Sequence, residues 1–325
     1  MSNRWLEISI RATGEAAEAL TALFDRAGHG GVVIEPELAP ESSGEEAVVA
    51  STGFATLRTY LPDNAQLEAR RHSVEESVGI LRAFDLAPMG ELQLRWLEEA
   101  DWAHAWKQHY PVQRIGRRWV VKPRWREYTP RAADLLLELD PGMAFGTGLH
   151  PTTQAVLMCL EDLDAGGRVA GREVLDLGTG SGILAIGAAR LRAARVLALD
   201  ADEVAVKAAG ENVQANGLAD VVTVQLGTVG EALEGLTPVP GLQPEGEFDG
   251  VLVNIVARVI AERAPALARA LRPDAWLVAS GIIADREPEA ADALAREGFH
   301  LERRLERGGW VALQCRLDRK DKPEG

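Results

Sequence analysis

Apolar and polar side chains alternate through Trp5–Arg11 (WLEISIR), the period of a strand with one covered face. Glu15–Ala27 then spaces Ala, Leu and Phe at helical intervals, and Gly31–Glu35 is a short apolar run after a glycine pair. An acidic loop containing Pro and Ser, Glu37–Glu46, closes this β-α-β set. A second set follows, with a strand at Ala55–Leu61, a helix at Asn64–Phe84 and a strand at Glu91–Leu97.

The combined order β-α-β-β-α-β predicts a small amino-terminal α+β domain over residues 1–97, ferredoxin-like, with helices on one face of an antiparallel sheet. That fold hosts many functions and selects none. Residues 98–113 are expected to form a linker helix. Within it Glu98–Tyr110 (EEADWAHAWKQHY) sets Trp102 and Trp106 four residues apart on one helical face. Such a pair suits anchoring on a domain surface better than stacking on a ligand. Trp119–Lys122 has strand character, and Pro111, Pro123 and Pro130 punctuate the start of a second domain, residues 114–325. Leu139–Gln154 (LDPGMAFGTGLHPTTQ) is a glycine-rich loop running into the apolar stretch Ala155–Leu160. Pro151 suits the start of a helix there, with Thr152 or Thr153 as its cap.

From Val174 onward apolar runs alternate between strand and helix. Val174–Ala189 (VLDLGTGSGILAIGAA) is a strand closed by Asp176, a turn carrying Gly178, Gly180 and Gly182, and a helix begun by Ile183, Leu184, Ile186 and Ala188. The strand Val196–Leu199 ends at Asp200, and a helix at Glu203–Ala215 and a strand at Val221–Val224 follow. Leu236–Glu247 is a Pro- and Gly-rich insertion, after which Val251–Val253 ends at Asn254. A helix at Val259–Leu271, a strand at Trp276–Ser280 and a helix at Glu287–Glu297 come next. Leu301–Glu306 and Trp310–Arg316, joined by Arg307–Gly309, must be antiparallel because the turn is so short. The architecture expected is α/β, a doubly wound sheet with an antiparallel final hairpin. The charged tail Asp318–Gly325 is expected to be disordered.

Composition narrows the possibilities. A chain of 325 residues, 46% hydrophobic, has room for two domains and a large core, and no apolar stretch is long enough to cross a bilayer. The beginning, MSNRWLEISI, lacks the basic and apolar regions of a secretory signal, so a cytoplasmic protein is expected. Cys159 and Cys315 lie far apart in apolar patterns, which fits reduced core thiols rather than a disulfide or a metal site; no metal is expected. A net charge of −14 argues against direct nucleic-acid binding, which needs a basic face to displace counterions. It equally suits capture of a basic protein or plain solubility. A monomer is expected.

The candidate chemistry lies at the glycine turn. Residues without Cβ let the backbone take positive φ and approach a flat or extended ligand, beside the free N–H groups of a helix start. The spacing G-x-G-x-G differs from the dinucleotide pattern G-x-G-x-x-G, and Asp200 at the next strand tip is placed to accept bonds from both hydroxyls of a ribose. The turn resembles the first motif of class I S-adenosylmethionine-dependent methyltransferases, and the antiparallel ending is similar to their Rossmann-like core. The linker DWAHAWKQHYPV, the loop LDPGMAFGTGLHPTTQ, the turn DLGTGSGILAIGA with Asp200, and the strand end VLVNIV together resemble the PrmA family, methyltransferases of ribosomal large-subunit protein L11. The likeness spans nearly all of residues 98–316. Departures are a longer segment between Thr153 and Asp176 and the insertion Leu236–Glu247, both where loops tolerate length.

The resemblance implies methyl transfer from S-adenosylmethionine to lysine side chains and the amino-terminal α-amine of that ribosomal protein, with residues 1–97 recognising the substrate. It implies that Thr153, Asp176, Gly178, Gly180, Asp200 and Asn254 contact the cofactor or shape its pocket, under a loop of Phe145, Gly146, Thr147, Gly148 and His150. Asn254 is the implied catalytic residue, its side-chain or backbone carbonyl accepting an amine N–H; it is followed by Ile255 and Val256, not by the prolines and aromatic usual in other amine methyltransferases. His150 is open to a proton relay, and a hydrogen-bonded structural role is the preferred reading. Alternatives are a class I methyltransferase acting on another protein, RNA or a small amine; a nicotinamide dehydrogenase, disfavoured by the glycine spacing; and an inactive module that binds ribosomal protein, disfavoured by the intact motifs.

Overall fold

Strands with one covered face build the amino-terminal part of the chain. The structure, a computed structural model, describes residues 4–13, 16–17, 20, 23–24, 33–38, 51–83, 89–98, 112–140, 148, 150–230 and 241–318. The chain divides into two units, Met1–Pro111 and Val112–Gly325. In the first, β1 (Arg4–Thr13), β2 (Val33–Leu38), β3 (Ser51–Pro62), α1 (Leu67–Ala83) and β4 (Gln93–Glu98) follow in order, and residues 16, 17, 20, 23 and 24 are helical. The sheet order is β2-β3-β1-β4, with every neighbour antiparallel, as the split βαβ order requires. Leu6, Ile8, Ile10 and Ala12, alternate residues of β1, pack with Leu20, Phe24, Leu67, Val74 and Val78. Of the linker helix expected over residues 98–113, residues 99–111 with Trp102 and Trp106 lie outside the described residues, while its two ends are strand instead: Glu98 closes β4 and Gln113 opens the next strand.

The second unit begins with β5 (Gln113–Ile115), β6 (Trp119–Pro123) and β7 (Leu135–Leu139), a three-stranded sheet in that order. There follow α2 (Pro151–Ala165), β8 (Glu173–Leu177), α3 (Ile183–Arg190), β9 (Arg195–Asp200), α4 (Glu203–Ala215), β10 (Val222–Leu226), β11 (Thr228–Val229), β12 (Gly241–Leu242), β13 (Phe248–Asn254), α5 (Ala257–Ala270), β14 (Leu271–Ile283), α6 (Glu287–Arg296), β15 (Phe299–Arg307) and β16 (Trp310–Leu317). The main sheet runs β10-β9-β8-β13-β14-β16-β15. Its strands are parallel from β10 to β14, and β16 is antiparallel to both neighbours. This is the class I methyltransferase form of the doubly wound fold.

Both faces are apolar because both are covered. Val174, Leu252 and Val278 point into a layer with Leu157, Leu160, Ile183 and Ile186, and their neighbours Leu175, Val251 and Leu277 into one with Ile260, Leu267 and Leu294. Successive residues of each strand therefore serve opposite layers. Among the described residues no helix is long and apolar enough to cross a membrane. Strand β7 is absent from the sequence reading, and the strand expected from Trp276 already starts at Leu271 as β14.

Candidate functional site

In a doubly wound sheet the crevice opens at the carboxyl ends of the strands where their order reverses. Here that place lies between β8 and β13, which pair Asp176 with Leu252 and Leu177 with Val253. Gly178 and Asn254 are the next residues on either side. Gly178, Gly180 and Gly182 take φ of +73°, +55° and +82°, left-handed backbone that the turn requires. A Cβ at Gly178 would stand 2.5 Å from Cγ2 of Ile255, so the strand ends approach too closely for any side chain there.

Three groups hold the turn. The N–H groups of Gly178 and Thr179 both donate to the carbonyl of Leu199 at 2.9 Å. The Gly180 N–H donates to Oδ2 of Asp200 at 2.8 Å, and Oδ1 accepts from the Asp202 N–H at 3.1 Å. Burial pushes the Asp200 carboxyl above the usual range, against the lowering effect of those N–H groups. Beneath the turn, Asp176 is fully buried and its Oδ2 accepts from the Thr179 hydroxyl at 2.6 Å and the Ala185 N–H at 3.1 Å. It braces the turn against α3 from below.

Burial raises Asp176 to about 7. A carboxyl raised on folding keeps its proton in the folded chain where the unfolded chain has lost it, so this contribution to stability is full at about pH 4 and lost as pH rises through about 7. Asp176→Asn removes that dependence. Urea unfolding of both proteins from pH 4 to 7.5 should show the wild type losing stability relative to the variant, by about 1 kcal/mol per pH unit at the steepest. Parallel profiles would place the titration elsewhere.

On the other wall, Asn254 Nδ2 donates to the hydroxyl of Thr153 at 3.4 Å, and Asn254 Oδ1 is buried with no hydrogen-bond partner among the described residues. Thr153 lies in the first turn of α2, fully buried. The cap of that helix is His150, not Thr152 or Thr153: with Pro151 at the first helical position, His150 Nδ1 accepts from the Thr152 N–H and lies 2.7 Å from its hydroxyl. The His150 ring meets Trp310 edge to face at 4.8 Å, and burial pushes its pKa down to about 4, so it is neutral at physiological pH. These contacts fit the structural reading of His150. Gly148, at φ +82°, is buried, and a Cβ there would press on Val121 and Ile183 at 3.0 and 3.2 Å. Phe145, Gly146 and Thr147 lie outside the described residues.

The turn, Asp200, Asn254 and Thr153 thus converge on one end of the sheet. Thr179 and Trp310 are additions the sequence reading lacks; a hydroxyl inside D-x-G-T-G and an aromatic after a Gly-Gly turn were their only signals. Among the described residues no cluster of His, Cys, Asp or Glu is arranged to hold a metal. Cys159 and Cys315 are buried free thiols in opposite apolar layers.

Residues 4–318 match the family described as ribosomal protein L11 methyltransferase (PrmA). The chain is 45% identical to the ribosomal protein L11 methyltransferase of Chloroflexus aurantiacus, over 95% of this chain and 97% of that one. It is 41% identical to the protein of the same name from Herpetosiphon aurantiacus, over 96% and 99%. Among solved structures it is similar to the ribosomal protein L11 methylase of Lactobacillus delbrueckii subsp. bulgaricus, with 31% identity, a TM-score of 0.55 and coverage of 65% of this chain and all of that one.

Proposed function

Because this chain belongs to the ribosomal protein L11 methyltransferase family, we propose that it transfers methyl groups from S-adenosylmethionine to lysine side chains and the amino-terminal α-amine of ribosomal protein L11. The observation that carries this reading is the buried Oδ1 of Asn254 beside the glycine turn, which has no hydrogen-bond partner among the described residues. A buried acceptor left without a donor costs about 1–3 kcal/mol, and an amine N–H from a substrate would satisfy it.

The residues present fit S-adenosylmethionine. Asp200, its oxygens steadied by backbone N–H groups that include those of Gly180 and Asp202, retains lone pairs for the two ribose hydroxyls. Gly178 and Gly180 let the backbone lie against the ligand, with Asp176 bracing them, and Thr153 and Asn254 form the opposite wall. Phe145, Gly146, Thr147, Gly148 and His150 complete the pocket in this proposal. The cofactor supplies a methyl group already activated on a sulfonium. The chain's own task is then to exclude water and to aim a neutral amine along the methyl–sulfur axis, and Asn254 does the aiming by accepting one amine N–H. We assign substrate recognition to residues 1–97 and chemistry to residues 114–325. The net charge of −14 suits a basic partner.

Incubation with S-adenosylmethionine and purified L11, followed by intact-mass and peptide mapping, tests the reading. Mass increments of whole methyl groups on lysines and on the terminal amine are expected. Transfer only to other acceptors, or to none, would overturn the substrate assignment. Because the nucleophile must be neutral, the single-turnover rate should rise from about pH 7 to 9, roughly tenfold per unit where the amine is mostly protonated. A flat profile would mean that the attacking group is not an amine.

A further inference from the structure

Among the described residues strand β7 pairs with β6 along one edge only, through Leu135–Leu139. Its other edge carries backbone groups that need partners. Side chains supply them at every second residue. Arg190 Nε donates to the Leu136 carbonyl at 3.1 Å. Asn216 Oδ1 accepts from the Glu138 N–H at 3.1 Å while its Nδ2 donates to the Glu138 carbonyl at 2.6 Å. Asn212 repeats this at Asp140, with Oδ1 accepting the N–H at 2.8 Å and Nδ2 donating to the carbonyl at 3.4 Å. The match is one of periods. Four helical residues rise about 6 Å and two strand residues about 6.6 Å, so amides one turn apart on a helix meet alternate residues of a strand.

Asn212 makes one contact that Asn216 does not. Its Nδ2 also donates, at 2.9 Å, to the carbonyl of Ser181, which stands between Gly180 and Gly182 in the glycine turn. Asp140 is the residue through which β7 leads into the glycine-rich segment ending at His150. One fully buried amide therefore ties the turn to the root of that segment. We propose that Asn212 is a positioning residue for the cofactor site, holding the glycine turn at Ser181 in a fixed place relative to Asp140 at the end of β7, so that S-adenosylmethionine affinity depends on a side chain that need not touch it. This rests on the reading that the cofactor binds at the glycine turn.

The matched variants Asn212→Ala and Asn216→Ala separate positioning from stability. Asn212 lies in α4 and Asn216 caps its carboxyl end, and each variant removes a buried amide and frees the same kinds of groups on β7, so both should lower Tm. Asn212→Ala should also raise the S-adenosylmethionine Kd at least tenfold by calorimetry, raise its KM in parallel, and leave kcat at saturating cofactor within about threefold. Asn216→Ala should leave that Kd within about twofold. Should Asn212→Ala fail to fold, Asn212→Asp keeps the acceptor for the Asp140 N–H and loses the donor to Ser181, and should still weaken the cofactor at least fivefold. Equal Kd values for wild type and either Asn212 variant, or equal weakening by Asn216→Ala, would overturn the proposal. Failure of the wild-type chain to bind S-adenosylmethionine would overturn the functional reading itself, and the inference with it.

Discussion

Asp200→Ala is expected to raise the Kd for S-adenosylmethionine about a hundredfold while costing the fold only about 1 kcal/mol. The carboxylate sits at the tip of β9, partly exposed, with one oxygen steadied by the Gly180 N–H and the other by the Asp202 N–H. Those bonds fix its plane before any ligand arrives, so little ordering remains to be done on binding. A ribose presents two adjacent hydroxyls, and the two oxygens of a carboxylate have lone pairs enough to accept both. Charge-assisted bonds of this kind contribute about 1.5–3 kcal/mol each, and part of that is returned when water replaces the missing group. A net loss of about 3 kcal/mol corresponds to the hundredfold change. Asp200→Asn keeps one acceptor and loses the charge, so about tenfold is expected. Calorimetric titration measures both, with denaturant unfolding as the control. Unchanged affinity in Asp200→Ala would remove Asp200 from the cofactor site.

The sequence made Asp176, Gly178, Gly180, Gly182 and Asp200 legible because their positions follow from local rules: a strand's end, a turn that needs positive φ, a helix start. The alternation of Leu6, Ile8 and Ile10 likewise marks a covered strand face without reference to its partners. Asn212 and Asn216 obey no such rule. In sequence they are two polar residues on an amphipathic helix, ordinarily a solvated face, and only the neighbouring edge of β7 makes them buried partners of a strand. That edge was itself hidden, because Leu135–Leu139 (LLLEL) is a short run broken by Glu138 between Pro130 and Pro141, to which the sequence reading gives no element. The cap of α2 was misplaced for a related reason. Threonine is the commoner cap, yet Pro151 at the first helical position sets the cap one residue earlier, on His150. Asn254 was found by its place at a strand end, but the hydroxyl that orients it lies 101 residues away along the chain.

That orientation leads to the largest effect expected. Asn254→Ala should lower kcat about a thousandfold while leaving the S-adenosylmethionine Kd within about threefold. An amide can face a substrate with its oxygen or its nitrogen, and only the oxygen can accept from an amine. Donation of Nδ2 to the Thr153 hydroxyl leaves Oδ1 as the other end of the amide, buried and with no partner among the described residues, and the proposed function has it accept from the amine. A neutral amine that gives one N–H to this oxygen has its lone pair turned away from the bond, and the place of Asn254 opposite Gly178 sets the direction in which that lone pair points. Removing the acceptor leaves the amine free to rotate and to be solvated. Lost orientation and lost hydrogen bonding together amount to about 4 kcal/mol in the barrier, which is the thousandfold. In the proposed site the cofactor would keep its ribose contacts at Asp200 and its backbone contacts at the turn, so its affinity should change little. Thr153→Val deprives the amide of its guide without removing the acceptor, and about tenfold is expected. Asn254→Asp keeps an acceptor in the same place but stabilises the protonated amine, so its single-turnover rate should climb with pH over a range displaced upward from that of the wild type. Single-turnover methylation of L11 by the three variants measures these effects. A kcat for Asn254→Ala within threefold of wild type would show that another group aims the amine, and the buried oxygen would then need a different donor.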